Sequence, residues 1–392
     1  MRKFLLFMIV ATFGLIAVAQ EQAVELRSDH PQEYIVQEGD TLWDIAGRFL
    51  ARPWQWPAIW QANPQIENPH LIYPGDRISL VYVDGQPRLM VDRTRRLSPE
   101  IRREPVSGPI RTIPLSAIEP FLTRPRVMDA DELAALPYVV ANQDTRFAAA
   151  EPERTFVRGL DGVQPGSQVV IARLNYQFED VERSGRRGLA QNRIRGNLGA
   201  VPSGERPIPL KGPGKKRAER VIGYQLWEVA RAEVLTLGDP AQLKILDADF
   251  EVRAGDYVLP LDDYLYDLTF QPRAPDFTVP DGVHVIGIHG GDHSVGEYQI
   301  VALDIGAEDG VAPGHTFSVF HPGDRIKDPF YDGLRGRPAP KNVDGRQVRL
   351  PEQFAGTVMV FRAFDRVSYA LVMDTTTGIQ VGDHVDHPDR RL

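Results

Sequence analysis

The clearest periodicity in the chain lies between residues 34 and 82. Tyr34-Ile35-Val36 reads as a short strand and Glu38-Gly39-Asp40 as a turn. Leu42, Ile45, Ala46 and Phe49 then recur at i, i+3, i+4 and i+7, the apolar stripe of an amphipathic helix. Thr41 and Asp44 have the spacing of a capping box that would open it. Pro57 suits the first position of a second helix in which Trp56, Ile59 and Trp60 share a face, and Asn63-Pro64 would stop it. Tyr73 to Asp76 is a turn, and Arg77 to Val81 alternates as a closing strand. The predicted order is β-α-α-β.

Prolines at 87, 99, 105, 109, 114, 120, 125 and 137 punctuate the next stretch, which reads as a Pro-rich connector over 83–150 with one short helix near Asp129–Leu136. Beyond it strand-like segments dominate, and they repeat. Asp161–Gly166 recurs as Asp309–Gly314, each followed by a strand (Gln168–Ala172 and Thr316–Phe320). Trp227–Val234 aligns with Gly356–Ala363, Ala241–Ile245 with Tyr369–Met373, and Val252–Val258 with Ile379–Val385. Two β units, barrels or sandwiches, are expected at 151–262 and 284–388, with a linker at 263–283. Gly255 and Gly382 should hold equivalent tight turns in which Asp256 and Asp383 bond the local backbone. The fold class is thus multidomain: a small α+β domain at 33–82, then two mainly-β repeats.

Composition supports the turn-rich reading. The chain has 34 glycines and 32 prolines in 392 residues, about 17% against roughly 12% in average usage. It has no cysteine, which removes disulfides, thiolate metal sites and cysteine nucleophiles. Arg2 and Lys3 precede an apolar run from Phe4 to Val18 that ends Ala17-Val18-Ala19, the form of a cleaved secretory signal over 1–19. That run is short for a bilayer span, which needs about 20 residues, and no later segment is long and apolar enough. An exported protein, periplasmic or cell-wall associated, is expected. Residues 1–19 hold two cations and no acid, so 43 cations remain against 53 acids, a net of −10. Such a balance argues against nucleic acid as a partner. The exception is a basic insert at 182–220 with eleven Lys and Arg, expected as a solvated hairpin extension. Its functional alternative is contact with anionic envelope polymers.

The N-terminal pattern resembles a known family. Tyr34, Val36, Gly39-Asp40-Thr41-Leu42 and Ile45-Ala46, then Ile59-Trp60 and Asn63, then Leu71-Ile72, Pro74-Gly75-Asp76 and Ile78, are similar to the blocks of a LysM domain. The resemblance implies a βααβ fold that binds N-acetylglucosamine-containing glycans, which in bacteria means peptidoglycan. It implies a groove between two loops, placing Gly39, Asp40, Thr41 and Leu42 on one lip and Asn63, Pro64, Ile66, Leu71 and Ile72 on the other. There Leu42 and Ile72 could pack an N-acetyl methyl, though Leu42 is equally well explained as core and Thr41 as an N-cap. The stretch Ala51–Pro57, with two tryptophans and two prolines, departs from the common pattern and resembles a proteobacterial subset. Trp60 is expected in the core, whereas at least one of Trp54 and Trp56 is expected to stay exposed, where it could stack on a sugar. The whole chain resembles uncharacterised LysM-containing envelope proteins of gammaproteobacteria, a likeness that supplies no activity.

Wall-cleaving signatures are missing. There is no thiol, no H-x-H or H-E-x-x-H, no S-x-x-K and no G-x-S-x-G. His289 and His293, and His384 and His387, pair imidazole with carboxylate, but no third ligand is fixed by spacing, so these are expected as turn and loop histidines with no metal. The leading reading has no catalytic residue and no cofactor. It is a wall-binding protein held by residues 33–82, which should suffice for binding, with the β repeats as adaptor or scaffold for another envelope protein. The rival is a glycan hydrolase using two carboxylates on the repeats.

Overall fold

The computed structural model describes residues 24–60, 72–92, 118, 125–143, 148–179, 221–261, 271–289, 293–332 and 346–390. The segment 1–19, expected as a secretory signal, and the basic insert 182–220 lie outside the described residues.

The N-terminal unit runs β1 (Glu33–Ile35), α1 (Leu42–Phe49), a 3-10 turn (Pro53–Gln55), α2 (Trp56–Trp60), β2 (Arg77–Val83) and β3 (Gln86–Asp92). Helix α1 starts where the sequence predicts. Thr41 Oγ1 accepts from the Asp44 N–H at 3.2 Å and Asp44 Oδ2 accepts from the Thr41 N–H at 2.9 Å, so two orphan amides of the first turn are satisfied reciprocally. Leu42, Ile45 and Phe49 meet Ile59, Ile72 and Ile78 in one core. Strand β3 extends the unit beyond residue 82. Asp84 and Gly85 both adopt positive φ, 52° and 79°, in the two-residue turn that joins β2 to β3. Arg88 of β3 donates to the Ala58 carbonyl of α2 at 2.6 Å, which ties the added strand to the helices.

Next come β4 (Pro125–Met128), α3 (Ala130–Ala135), β5 (Tyr138–Asn142), β6 (Ala148–Ala149), β7 (Arg154–Arg158), β8 (Gln168–Glu179), β9 (Val221–Thr236), β10 (Ala241–Ala248), β11 (Val252–Arg253) and β12 (Tyr257–Pro260). Six of these strands form a ring in the order β5-β7-β10-β9-β8-β12, with β12 pairing back to β5. Strand β4 runs beside β9, outside the ring. This first barrel begins at Tyr138, inside the stretch read as connector. Its opening strand is five residues long and directly follows Pro137, too brief an alternation to stand out among the prolines.

The second unit contains β13 (Val285–His289), β14 (Ile300–Leu303), β15 (Thr316–His321), β16 (Arg325–Lys327), β17 (Gln347–Arg349), β18 (Gln353–Ala363), β19 (Ser368–Thr375) and β20 (His384–Asp386). The strand order is β13-β14-β19-β18-β15-β20, and a bridge between His284 and His384 closes it. The order is that of the first barrel, strand for strand. The seams agree in their hydrogen bonds too. Val139 N–H donates to the Asp256 carbonyl at 2.7 Å, and Val285 N–H to the Asp383 carbonyl at 2.9 Å. Gly255 and Gly382 each sit at φ 94° in the turn before this seam, because only a residue without Cβ takes that conformation cheaply.

The structure corrects the register of two aligned segments. Gly166 and Gly314 donate to the carbonyls of Val234 and Val360, so Val234 is equivalent to Val360 rather than to Ala363. Val234 pairs with Leu243 and Val360 with Ala370, which makes Ala241 equivalent to Ser368 rather than to Tyr369. A one-residue slip exchanges the two faces of a strand. Ala241 lies inside its barrel, whereas Tyr369 lies outside the other.

Barrel 2 is apolar on both faces. Val301, Val358, Val360, Ala370 and Val372 point inward. The alternate residues, among them Met359, Phe361, Tyr369 and Leu371, point outward into a second cluster. That outer layer holds the three units together. It receives Tyr176 and Phe178 from the long end of β8, Trp227 from β9, and Trp43 and Trp54 from the N-terminal unit. Tyr369 donates its hydroxyl to Gln225 Oε1, and Gln225 Nε2 donates to Asn175 Oδ1 at 3.0 Å, so these three polar side chains of the layer satisfy one another.

One carboxylate gives barrel 2 a pH dependence. Asp374, partly buried in β19 and opposite Thr357, has its pKa pushed up to about 6 by burial, with Glu297 acting in the same direction. Between roughly pH 4 and this value the folded chain holds a proton that the unfolded chain has released, so stability falls as pH rises through that window. Asp374→Asn should stabilise the protein at pH 7.5 by about 1–2 kcal/mol after solvent screening. It should also reduce the pH 4.5-to-7.5 difference seen in urea unfolding.

Candidate glycan-binding site

The first lip of the expected groove is the turn between β1 and α1. Gly39 adopts φ 95° and is exposed, and a Cβ built on it meets nothing within 4 Å. A ligand can therefore approach the backbone closely there. Asp40 ties the turn together, its Oδ2 accepting from the Tyr34 hydroxyl at 2.8 Å and from the Gln37 N–H at 2.7 Å. The Arg48 guanidinium stacks 4.4 Å from the Tyr34 ring centre, beside the Tyr34–Asp40 bond. Burial and the bond to Asp40 push the Tyr34 hydroxyl pKa up, so it remains a donor at neutral pH.

Of the nine expected contact residues, Gly39, Asp40, Thr41, Leu42 and Ile72 are described. Asn63, Pro64, Ile66 and Leu71 lie outside the described residues. Thr41 is buried, and its hydroxyl serves the capping box, donating to Asp44 Oδ2 at 2.7 Å. Leu42 and Ile72 are 1% and 0% exposed and pack into the domain core, in line with the core reading of Leu42. The turn thus offers backbone at Gly39 and polar atoms at Asp40.

The tryptophans need a correction. Trp60 lies in the core as expected, but neither Trp54 nor Trp56 is exposed. Trp56 joins the domain's own core. Trp54, 9% exposed, packs with Trp43 against barrel 2. The proline-bounded segment looked irregular enough to leave an indole free, yet the neighbouring barrel covers it. What the sequence could not reveal is the contact of the lip with barrel 2. Asp44 Oδ1 accepts from the hydroxyl of Tyr298 at 2.7 Å, 254 residues away in sequence. Near the other end of α1, Arg52 pairs with Asp389 of the C-terminal segment at 2.5 Å.

The histidines serve the barrel rather than a common centre. His289 ends β13, His384 opens β20 beside Arg390 and Glu352, and His387 Nε2 lies 3.2 Å from the Pro275 carbonyl. Among the described residues no three His, Asp or Glu side chains converge on a point that could hold a metal.

Two helices on an antiparallel sheet, with an open glycine turn ahead of the first helix, define a small α+β class of module. Residues 34–81 match the LysM domain family, and the protein contains a LysM domain. Within the chain's curated similarities is the uncharacterized protein YqbP of Bacillus subtilis (strain 168), 37% identical over 60 residues. The alignment covers 13% of this chain and 27% of YqbP, so the chain spans about a quarter of the length of that relative. The LysM match supports a glycan-binding role of the peptidoglycan or chitin type.

Proposed function

We propose that this is a non-catalytic envelope protein that binds peptidoglycan through its LysM domain and carries a pair of β-barrels as an adaptor. The observation that carries the reading is the LysM match at 34–81, together with an open, hydrogen-bonded lip at Gly39 and Asp40. The apolar N-terminal run ending Ala17-Val18-Ala19 supports export to the periplasm or cell wall. The absence of cysteine and of wall-hydrolase signatures supports binding without cleavage. Both rings are closed, which withdraws their strand edges from pairing with a partner. An adaptor role therefore falls to loops and to the β16–β17 ribbon, where Ile326 and Val348 are exposed opposite each other.

The test is co-sedimentation of the full-length protein with purified sacculi, competed by soluble chito-oligosaccharide. Gly39→Val forces a β-branched residue into a left-handed turn at the lip and should weaken binding by tenfold or more, about 1.4 kcal/mol. Unchanged binding would place the glycan elsewhere. Release of soluble muropeptides from the sacculi, abolished by a single Asp or Glu substitution on the barrels, would favour the hydrolase instead.

A further inference from the structure

The capping carboxylate of α1 has two oxygens with two separate duties. Oδ2 of Asp44 serves the Thr41 N–H and hydroxyl inside the LysM domain. Oδ1 is held from outside by Tyr298, in the loop between β13 and β14 of barrel 2. Tyr298 is an unusual residue for that loop. Its φ of 60° lies in the left-handed region, where a bulky side chain is rarely found. Barrel 2 imposes the conformation. Tyr298 N–H donates to the Val372 carbonyl at 2.8 Å, and Val372 N–H donates to the Gln299 carbonyl at 2.9 Å. The Gln299 side chain also accepts from Gly296 N–H at 2.7 Å. Backbone of this kind persists only where its surroundings fix it, and it gathers at functional positions.

The direction of the contact matters. The Tyr298 ring packs against the layer that buries Trp43, on the helix side of the lip. The opposite side, at Glu38 and Gly39, is exposed and clear of barrel 2. Barrel 2 therefore supports the lip from behind without covering its open face.

We propose that Tyr298 is a positioning residue for the LysM glycan site, acting through Asp44 on the Gly39–Thr41 turn. The inference rests on the glycan-binding reading above. A turn already held in its bound shape loses less conformational freedom when a sugar chain docks, so the brace raises affinity without touching the ligand. The LysM site of this protein would thus be completed by a residue from its β-barrel body.

The decisive variant is Tyr298→Phe in the full-length chain, which keeps the ring and the turn and removes only the hydroxyl. Calorimetric titration with a chito-oligosaccharide should show affinity weakened about threefold to tenfold, the range for loss of one hydrogen bond. Asp44→Ala should also weaken binding, and adding Tyr298→Phe to it should cause no further loss. That coupling is a readout that general destabilisation would not produce. Should Asp44→Ala fail to fold, Asp44→Asn takes its place in the cycle. Wild-type binding with an unchanged Tyr298→Phe, or fully additive losses, would overturn the brace and leave the glycan reading intact. A wild-type protein that binds neither oligosaccharide nor sacculi would overturn both.

Discussion

Replacing Trp43 by alanine is expected to cost about 3–5 kcal/mol of stability, the range for truncating a large buried aromatic. Trp43 is only 3% exposed, yet it contributes nothing to the LysM core. Its neighbours Leu42, Ile45 and Phe49 occupy the inward stripe of α1, whereas Trp43 belongs to the outer cluster of barrel 2 that also holds Met359, Phe361 and Tyr369. The substitution should therefore loosen the docking of LysM without emptying its core. Denaturant unfolding followed by tryptophan fluorescence and by circular dichroism should lose coincidence, with the LysM domain melting separately. Trp56→Ala, which opens a cavity within the LysM core, should destabilise that domain itself. The same burial bears on the expectation that residues 33–82 suffice for binding. Excised, that fragment would expose Trp43 and Trp54 and lose the Asp44–Tyr298 contact, so the full-length chain is the proper binding reagent.

Local structure was legible wherever a residue type answers a backbone need within a few positions. The Thr41–Asp44 capping box, the α1 stripe, the helix after Asp129 and the paired Gly-Asp turns all follow from that kind of signal. Asp84-Gly85 is equally readable, since Asp-Gly between two strand-like runs is a strong hairpin signal, but the LysM pattern ends before it and β3 falls in the stretch that reads as connector. The repeat register was harder to read. On β18 and β19 both faces are buried, so apolar residues run without a break and the usual alternation that fixes phase is absent. For the same reason the outward face of barrel 2 announces that something covers it but not what. The Trp43, Trp54 and Tyr298 contacts belong to that unreadable class, because they join segments some 250 residues or more apart.

The two barrels offer an internal control for the second large effect. Asp256 and Asp383 occupy equivalent turns, and each accepts from a local backbone amide, Arg253 N–H at 2.7 Å and Gln380 N–H at 2.8 Å. Each also meets a side chain from the neighbouring strand at equivalent positions: Arg173 on β8 and His321 on β15. Arg173 grips Asp256 through two bonds, 2.7 and 2.8 Å, with both residues buried. His321 makes one contact with Asp383, at 2.6 Å, and burial raises the Asp383 pKa.

Asp256→Ala leaves a guanidinium that cannot shed its charge inside the protein, a loss of about 3–5 kcal/mol. Asp383→Ala removes a single contact with the partly exposed His321, so its cost should be nearer about 1–2 kcal/mol, mostly the lost turn hydrogen bond. Urea unfolding of the two variants at pH 7.5 measures the difference directly. If the costs were equal, the backbone bond common to both turns would carry the energy. The Arg173 pair would then be a tenant of the turn rather than its support.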